Sequence, residues 1–225
     1  PEIFSSSTAA IDLKTRRPLI PLQIDPPAQR KFRKILDPLF SPQRMRPLED
    51  SIAALVNQLI DAFVDDDEID FTQQFSIPFP SRVFLTMFGL PIEELPRFLR
   101  MKDGIIRPDH VIGRELAHPE TDAYQQATAD SIYEYFEGLL DERASVRRDD
   151  LLSQYLDAQI DGDRLSREDI LDICFLFLIA GLDTVSASLD CFYGHLAEHP
   201  EDRRTLVGAG LEELRLAEAE PARDD

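Results

Sequence analysis

Asp183 and Thr184 set an acid beside an alcohol in the stretch Ala180-Gly181-Leu182-Asp183-Thr184, at the end of a ten-residue apolar run from Ile173 to Leu182. A helix apolar on every side belongs in a core, not on a surface. A carboxylate there loses hydration, so Asp183 must be hydrogen-bonded or its proton must take part in chemistry. Gly181 costs a helix about 1 kcal/mol relative to Ala, and its missing side chain lets something large approach the backbone. Residues four, five and eight before Thr184 share its face, so Ala180, Ile179 and Leu176 are expected to line whatever cavity Thr184 sees. A mainly apolar cavity with few polar groups suits a lipophilic small molecule. The plainer alternative is a kinked core helix, with Thr184 bonded back to the Ala180 carbonyl and Asp183 facing water.

A second constellation lies upstream, Asp25-Pro26-Pro27-Ala28-Gln29-Arg30-Lys31-Phe32-Arg33-Lys34, followed by Phe40-Ser41-Pro42. Alone it reads as a short, solvated basic helix. Taken in order, the two stretches resemble the cytochromes P450. In that family Ala-Gly-x-(Asp/Glu)-Thr lies on the long helix over the haem, and Asp-Pro-Pro-Glu-His-x-x-x-Arg with a later Phe-(Thr/Ser)-Pro provides groups that bind the haem propionates. The resemblance implies that Thr184 is a hydrogen-bond donor in dioxygen cleavage and Asp183 a proton relay, with Ala180 and Gly181 forming the oxygen groove. It implies that Arg33 binds a propionate through a charge-assisted contact. Gln29 stands where the family has histidine, which keeps a hydrogen bond and removes a possible charge.

The implied fold is mainly α, the helical part of the P450 fold, incomplete and built around a long central helix. It corresponds to an internal fragment from about helix C to just past helix I. The numbering opens at Pro1 without an initiator methionine, so sequence missing upstream is also expected. The implied activity is a haem-thiolate monooxygenase that hydroxylates a lipophilic small molecule with dioxygen and electrons from a redox partner. The family's axial cysteine loop, Phe-x-x-Gly-x-x-x-Cys-x-Gly, does not occur here. Neither Cys174 nor Cys191 has its flanking residues, so the chain by itself is expected to be inactive. The rival from another class is a non-catalytic helical binding module.

Charge narrows the partners. The net charge is −19, yet residues 1 to 46 carry nine Lys/Arg against four Asp/Glu, a local balance of +5. The acidic remainder disfavours nucleic acid, while the basic stretch around Arg30, Lys31 and Lys34 suits an acidic, ferredoxin-like electron donor. The longest apolar run is shorter than the roughly 20 residues of a bilayer span and no signal peptide opens the chain, so a cytoplasmic protein without a membrane span is expected. Both cysteines read as buried thiols. His195 and His199, four apart, lack a visible third ligand, and Leu196 occupies the position where a zinc hydrolase carries its glutamate, so no metal site is assigned.

The elements that must position these groups follow from periodicity and punctuation. Residues 1–24 read as a loop-rich entry, 25–200 as the helical body and 201–225 as a divergent acidic tail. Asp25-Pro26-Pro27 supplies an N-cap candidate with prolines at the first helical positions, opening a short basic helix over Ala28 to Leu36. Leu48, Ile52, Leu55, Val56, Leu59, Ile60 and Phe63 share one helical face. Ile69-Asp70-Phe71 reads as a short strand, Phe79 to Phe88 and Ile92 to Lys102 as helices, and Gly104 to Pro119 as a mobile connection. A long amphipathic helix covers 120–143, and a shorter one begins at Leu151. Ser166 and Asp169 suggest a capping box opening a helix that runs to about Glu198, where His199-Pro200 stops it.

Overall fold

The computed structural model describes residues 5–7, 12–160 and 162–209. The chain divides into two compact units, Pro1–Ser186 and Ala187–Asp225. The first unit begins with α1 (Ala28–Leu36), α2 (Pro42–Met45), α3 (Glu49–Asp61) and α4 (Pro78–Met87). It continues with α5 (Leu95–Ile106), α6 (Pro108–Ile112), α7 (Pro119–Ser145) and α8 (Leu151–Asp157). An antiparallel hairpin then pairs β1 (Gln159–Ile160) with β2 (Asp163–Arg164), with Gln159 opposite Arg164, and α9 (Arg167–Glu198) follows. Proline stands in the first two positions of α2, α4, α5, α6 and α7. There its missing N–H costs nothing, because the first N–H groups of a helix have no partner within it.

The start of α9 obeys the expected capping chemistry. Ser166 Oγ accepts from the Asp169 N–H at 3.1 Å, and Asp169 Oδ2 accepts from the Ser166 N–H at 3.0 Å. Two orphan donors are thereby satisfied reciprocally. From this cap α9 carries Ile170, Ile173, Cys174, Phe175, Leu178 and Leu182 into the core, all buried. Tyr133 of α7 packs on Phe175 with ring centres 5.2 Å apart. Around Phe88 gather Phe84 at 4.5 Å, Phe136 at 5.9 Å, and Tyr155 and Phe177 each at 6.5 Å. Each fully buried ring contributes about 1.5–3 kcal/mol of transfer free energy, so this aromatic cluster holds α4, α7, α8 and α9 in one packing.

Beside that cluster sits a fully buried ion pair. Arg143, near the end of α7, places Nε 2.6 Å from Asp150 Oδ2, and the two side chains are 1% and 0% exposed. Asp150 also caps α8, accepting from the Ser153 N–H at 2.8 Å, while Arg143 Nη2 donates to the Gly89 carbonyl at 3.3 Å. Gly89 is required there: its φ is +62°, and a Cβ would lie 2.7 Å from Asp150 Oδ2. Burial alone would raise the Asp150 carboxyl, but the Ser153 hydrogen bonds and the Arg143 guanidinium overcome it and hold the carboxyl below 3.8.

Several expectations need correction. Asp25 does not cap α1. Pro27 occupies the cap position, and the Asp25 carboxylate accepts from Ser5 Oγ and from the Ser6 N–H instead. Ile69 to Phe71 is not a strand, because Phe71 leads into a π-helical turn over Thr72–Ser76. The face of α3 is only partly covered: Leu59 is buried, whereas Ile52, Leu55 and Val56 are half-buried. Gly104 to Pro119 is not a simple connection, since α5 runs through Gly104 to Ile106 and α6 follows at once. Gly104 lies inside the helix because a Cβ there would meet Thr128 Oγ1 of α7 at 2.7 Å, so the glycine marks a close helix crossing. The expectation that no segment could span a bilayer also fails on length and composition, since α9 holds an 18-residue window of mean hydropathy 2.0. Half of that window is buried inside the protein, as suits a core helix.

The second unit contains the last turns of α9 and α10 (Pro200–Gly208), separated at His199. Cys191 is exposed, not buried, while Cys174 of the first unit is buried as expected. The tail expected over 201–225 is described only to Ala209 and is helical to Gly208. Glu212 to Arg215 and Pro221 to Asp225 lie outside the described residues.

Removing the guanidinium in Arg143→Leu strands a buried carboxylate and should lower stability at pH 7 by about 3–5 kcal/mol, read from urea denaturation. Because Asp150 titrates lower in the folded chain than unfolded, its contribution to stability is complete above pH 3.8 and is lost as the pH falls through the folded value. A variant as stable as the parent at pH 7 would contradict this account.

Candidate functional site

The middle of α9 presents different neighbours on its different sides. Thr184 and Ala180 are exposed, Leu176 and Ile179 are half-buried, and Leu178 and Leu182 are fully buried. Leu176, Ala180 and Thr184 recur every four residues, so they form one line up the helix, with Ile179 beside it. The run is therefore not buried all round, as its composition suggested. One apolar strip of it stays open.

Thr184 Oγ1 donates to the Ala180 carbonyl at 2.6 Å. This back-bond to the preceding turn is common for threonine within helices, and it ties the hydroxyl to the backbone of its own helix. Gly181 lies on another flank. A Cβ there would come within 3.1 Å of the Phe84 ring, so the absent side chain makes room for α4 packing.

Asp183 turns toward α5 and is held by cations. Arg107, immediately after α5, grips it with two hydrogen bonds, Nη1 to Oδ1 at 2.6 Å and Nη2 to Oδ2 at 3.2 Å. Lys102 Nζ lies 3.6 Å from Oδ1 and 2.7 Å from Asp103 Oδ1, and its side chain is 7% exposed. Burial alone would raise the Asp183 carboxyl, but the Arg107 hydrogen bonds and charge, with the Lys102 charge behind them, hold it below 3.8. The acid is ionised at neutral pH. Arg107 remains 40% exposed on its side chain, so its outer side meets water while its inner side meets the carboxylate.

Sequence reasoning missed Arg107 and Lys102. The available signal was the carboxylate itself, since a charge in an apolar helix calls for an opposite charge nearby. Nothing in the spacing says which cation answers, because Arg107 is 76 residues away.

The basic constellation is placed separately. Gln29 is half-buried on α1, and Arg33 is 58% exposed on its side chain, with Nε 2.9 Å from Asp37 Oδ1. Lys31 Nζ lies 3.1 Å from Asp163 Oδ2 of the hairpin. The region is fastened to α9 through Phe40, whose ring stacks on Phe177 at 5.1 Å and 17°. Phe177 neighbours Leu176 in sequence, so the turn after α1 is anchored beside the lower end of the open strip. Of the cysteines, Cys174 is fully buried and burial pushes its thiol up, which suits packing and opposes thiolate chemistry.

Comparison with known proteins agrees with this geometry. A family model described as Cytochrome P450 matches residues 12–206. "Probable cytochrome P450 127A1" of Sinorhizobium fredii is 33% identical over 96% of this chain and 51% of its own length. A "Steroid C26-monooxygenase" of Mycobacterium tuberculosis is 30% identical over 84% of this chain and 50% of its own length. The crystal structure of the myxobacterial cytochrome P450 CYP267B1, in complex with myristic acid, superposes with a TM-score of 0.71 at 30% identity, covering 82% of this chain and 44% of that one. The chain spans about half the length of the curated relatives it matches. With the family model matched over most of its residues, and with the acid, alcohol and open apolar strip on its longest helix, this chain belongs to the cytochrome P450 family.

Proposed function

We propose that this chain supplies the oxygen-facing wall of a haem monooxygenase that hydroxylates a lipophilic small molecule. The observation that carries the reading is the adjacency on α9 of Thr184, at an open apolar strip, and Asp183, ionised under two cations. The residues fit the group the family implies. A flat, largely apolar macrocycle needs an apolar wall, which Leu176 provides, with small side chains where it comes closest, which Ala180 and Thr184 provide. Its carboxylates need donors at the rim, for which Arg33 and Gln29 on α1 are the candidates. Haem, when bound, supplies the iron that activates dioxygen. Its axial thiolate is not assigned to either cysteine of this chain.

Within that frame the residues divide the work. Thr184 spends its proton on the Ala180 carbonyl, so donation outward requires the hydroxyl to rotate away from that 2.6 Å bond. Asp183 can accept a proton only after loosening the two Arg107 contacts, and the outer side of Arg107 already meets water. A proton then passes from solvent to Asp183 and onward along α9 toward Thr184. Ala180 keeps the helix slim at this level, while Gly181 faces the Phe84 ring instead, and the half-buried Leu176 and Ile179 give the wall its preference for lipophilic substrates. The names of two relatives point the same way, one to a steroid and the other to myristic acid. The basic face of α1, with Arg30, Lys31 and Lys34 exposed, suits docking of an acidic electron donor. Bacterial relatives and the core packing of α9 support a cytoplasmic setting.

Three outcomes follow. With the product of the whole gene, haem reconstitution should yield the thiolate signature of the reduced carbon monoxide complex, and Thr184→Ala should divert electrons from product to peroxide; absence of haem uptake would sink the reading. Arg107→Ala should raise the titration midpoint of the Asp183 carboxyl, followed by side-chain carboxyl NMR, because the loss of the hydrogen bonds and charge leaves burial less opposed. Charge reversal at Lys31 and Lys34 together should slow reduction by a ferredoxin and flatten its salt dependence, and unchanged kinetics would reject α1 as the docking face.

A further inference from the structure

His195, His199 and Asp202 lie in the second unit, apart from the haem-facing wall, and the reading of that wall does not enter here. Sequence spacing supplies only the histidine pair at i and i+4. The fold adds the carboxylate, because α9 ends at Glu198 and α10 restarts at Pro200, which brings Asp202 back over the last turn of α9. One donor atom from each of the three side chains lies within 4.8 Å of the other two. His195 Nε2 is 2.9 Å from Asp202 Oδ2. The two imidazole rings stack with centres 4.1 Å apart at 23°, so they are nearly parallel.

We propose that these three residues form a binding site for a divalent transition metal of the zinc class. Two imidazoles and a carboxylate are the ligand set that such borderline ions favour. A tetrahedral zinc with bonds of about 2.0–2.1 Å sets its ligands roughly 3.3 Å apart, so the 2.9 Å contact of His195 with Asp202 has to open slightly and the stacked rings have to rotate until both aim at the ion. The ion would enter between His195 and Asp202, replacing their direct contact with a bridge. Glu201 provides the outer support that metal-bound histidines usually have. Its Oε1 lies 3.3 Å from His199 Nδ1, and a proton held on Nδ1 by this carboxylate leaves the Nε2 lone pair for the metal. All three ligands are accessible, with side chains 45–53% exposed, so the ion reaches them directly from solvent and water completes the fourth position. The bound ion would clip the end of α9 to the start of α10.

The test is calorimetric titration of the untagged 225-residue chain with zinc alone, with cobalt absorption reporting coordination number. We expect one equivalent to bind with the visible spectrum of a tetrahedral site. His195→Ala and His199→Ala should each weaken binding at least about tenfold, and Glu201→Gln by about tenfold. His110→Ala, outside the cluster, should leave the affinity unchanged. The melting temperature should rise with zinc in the parent and not in the His195→Ala/His199→Ala double variant, whose far-UV circular dichroism without metal verifies that it is folded. Absence of a saturable single site, or undiminished affinity in the folded double variant, overturns the proposal.

Discussion

The structure around α9 depends on how a carboxylate is kept inside it. Asp183 sits one helical turn beyond Ile179, partly buried in a stretch whose other side stays open, and taking an ion out of water costs several kcal/mol unless other charges replace the solvent. Arg107 and Lys102 do so from α5. The consequence reaches beyond one ion pair. The guanidinium reaches Asp183 from the residue just past the end of α5, and α5 lies close to α7 because Gly104 leaves room for Thr128. On the opposite flank Gly181 admits the Phe84 ring, so α4 packs tightly at the same level. Two glycines that weaken helices in isolation therefore permit the crossings that surround the acid.

Much of this organisation could be read from residue order. The capping box at Ser166 and Asp169, the prolines opening helices and the stop at His199-Pro200 are local signals, and each depends on residues within a turn of one another. The mistakes were of another kind. Gly104 to Pro119 reads as a connection because the reason for the glycine lies across the interface in Thr128. Ile69 to Phe71 resembled a strand because three residues cannot distinguish a period of two from the start of a helical turn. The run from Ile173 to Leu182 looked buried all round because composition reports no direction, and the openness at Ala180 emerges only when the packing of its neighbours is known.

The same division applies to the site. Thr184, Asp183 and their apolar neighbours are legible because they are consecutive on one helix, where geometry converts spacing into position. Arg107 is not legible in the sequence, as its partnership with Asp183 joins side chains 76 residues apart. The ion pair of Arg143 and Asp150 escaped for a related reason. Its members are seven residues apart, yet their burial depends on Gly89, which approaches from a distant turn.

Consecutive helical residues differ in direction by about 100°, and this constrains how Asp183 and Thr184 can cooperate. Asp183 points to Arg107 and Thr184 to the open strip, so the two groups do not share one cavity wall in the structure described here. On the proposed function, a route for protons between them would have to turn around the helix. The Ala180 carbonyl, already bonded to Thr184 Oγ1, lies on the Thr184 side of that turn, and the solvent-facing flank of Arg107 lies on the other. The cations consequently have two effects at once: they offset the lost hydration of a partly buried carboxylate, and they hold it turned away from the strip.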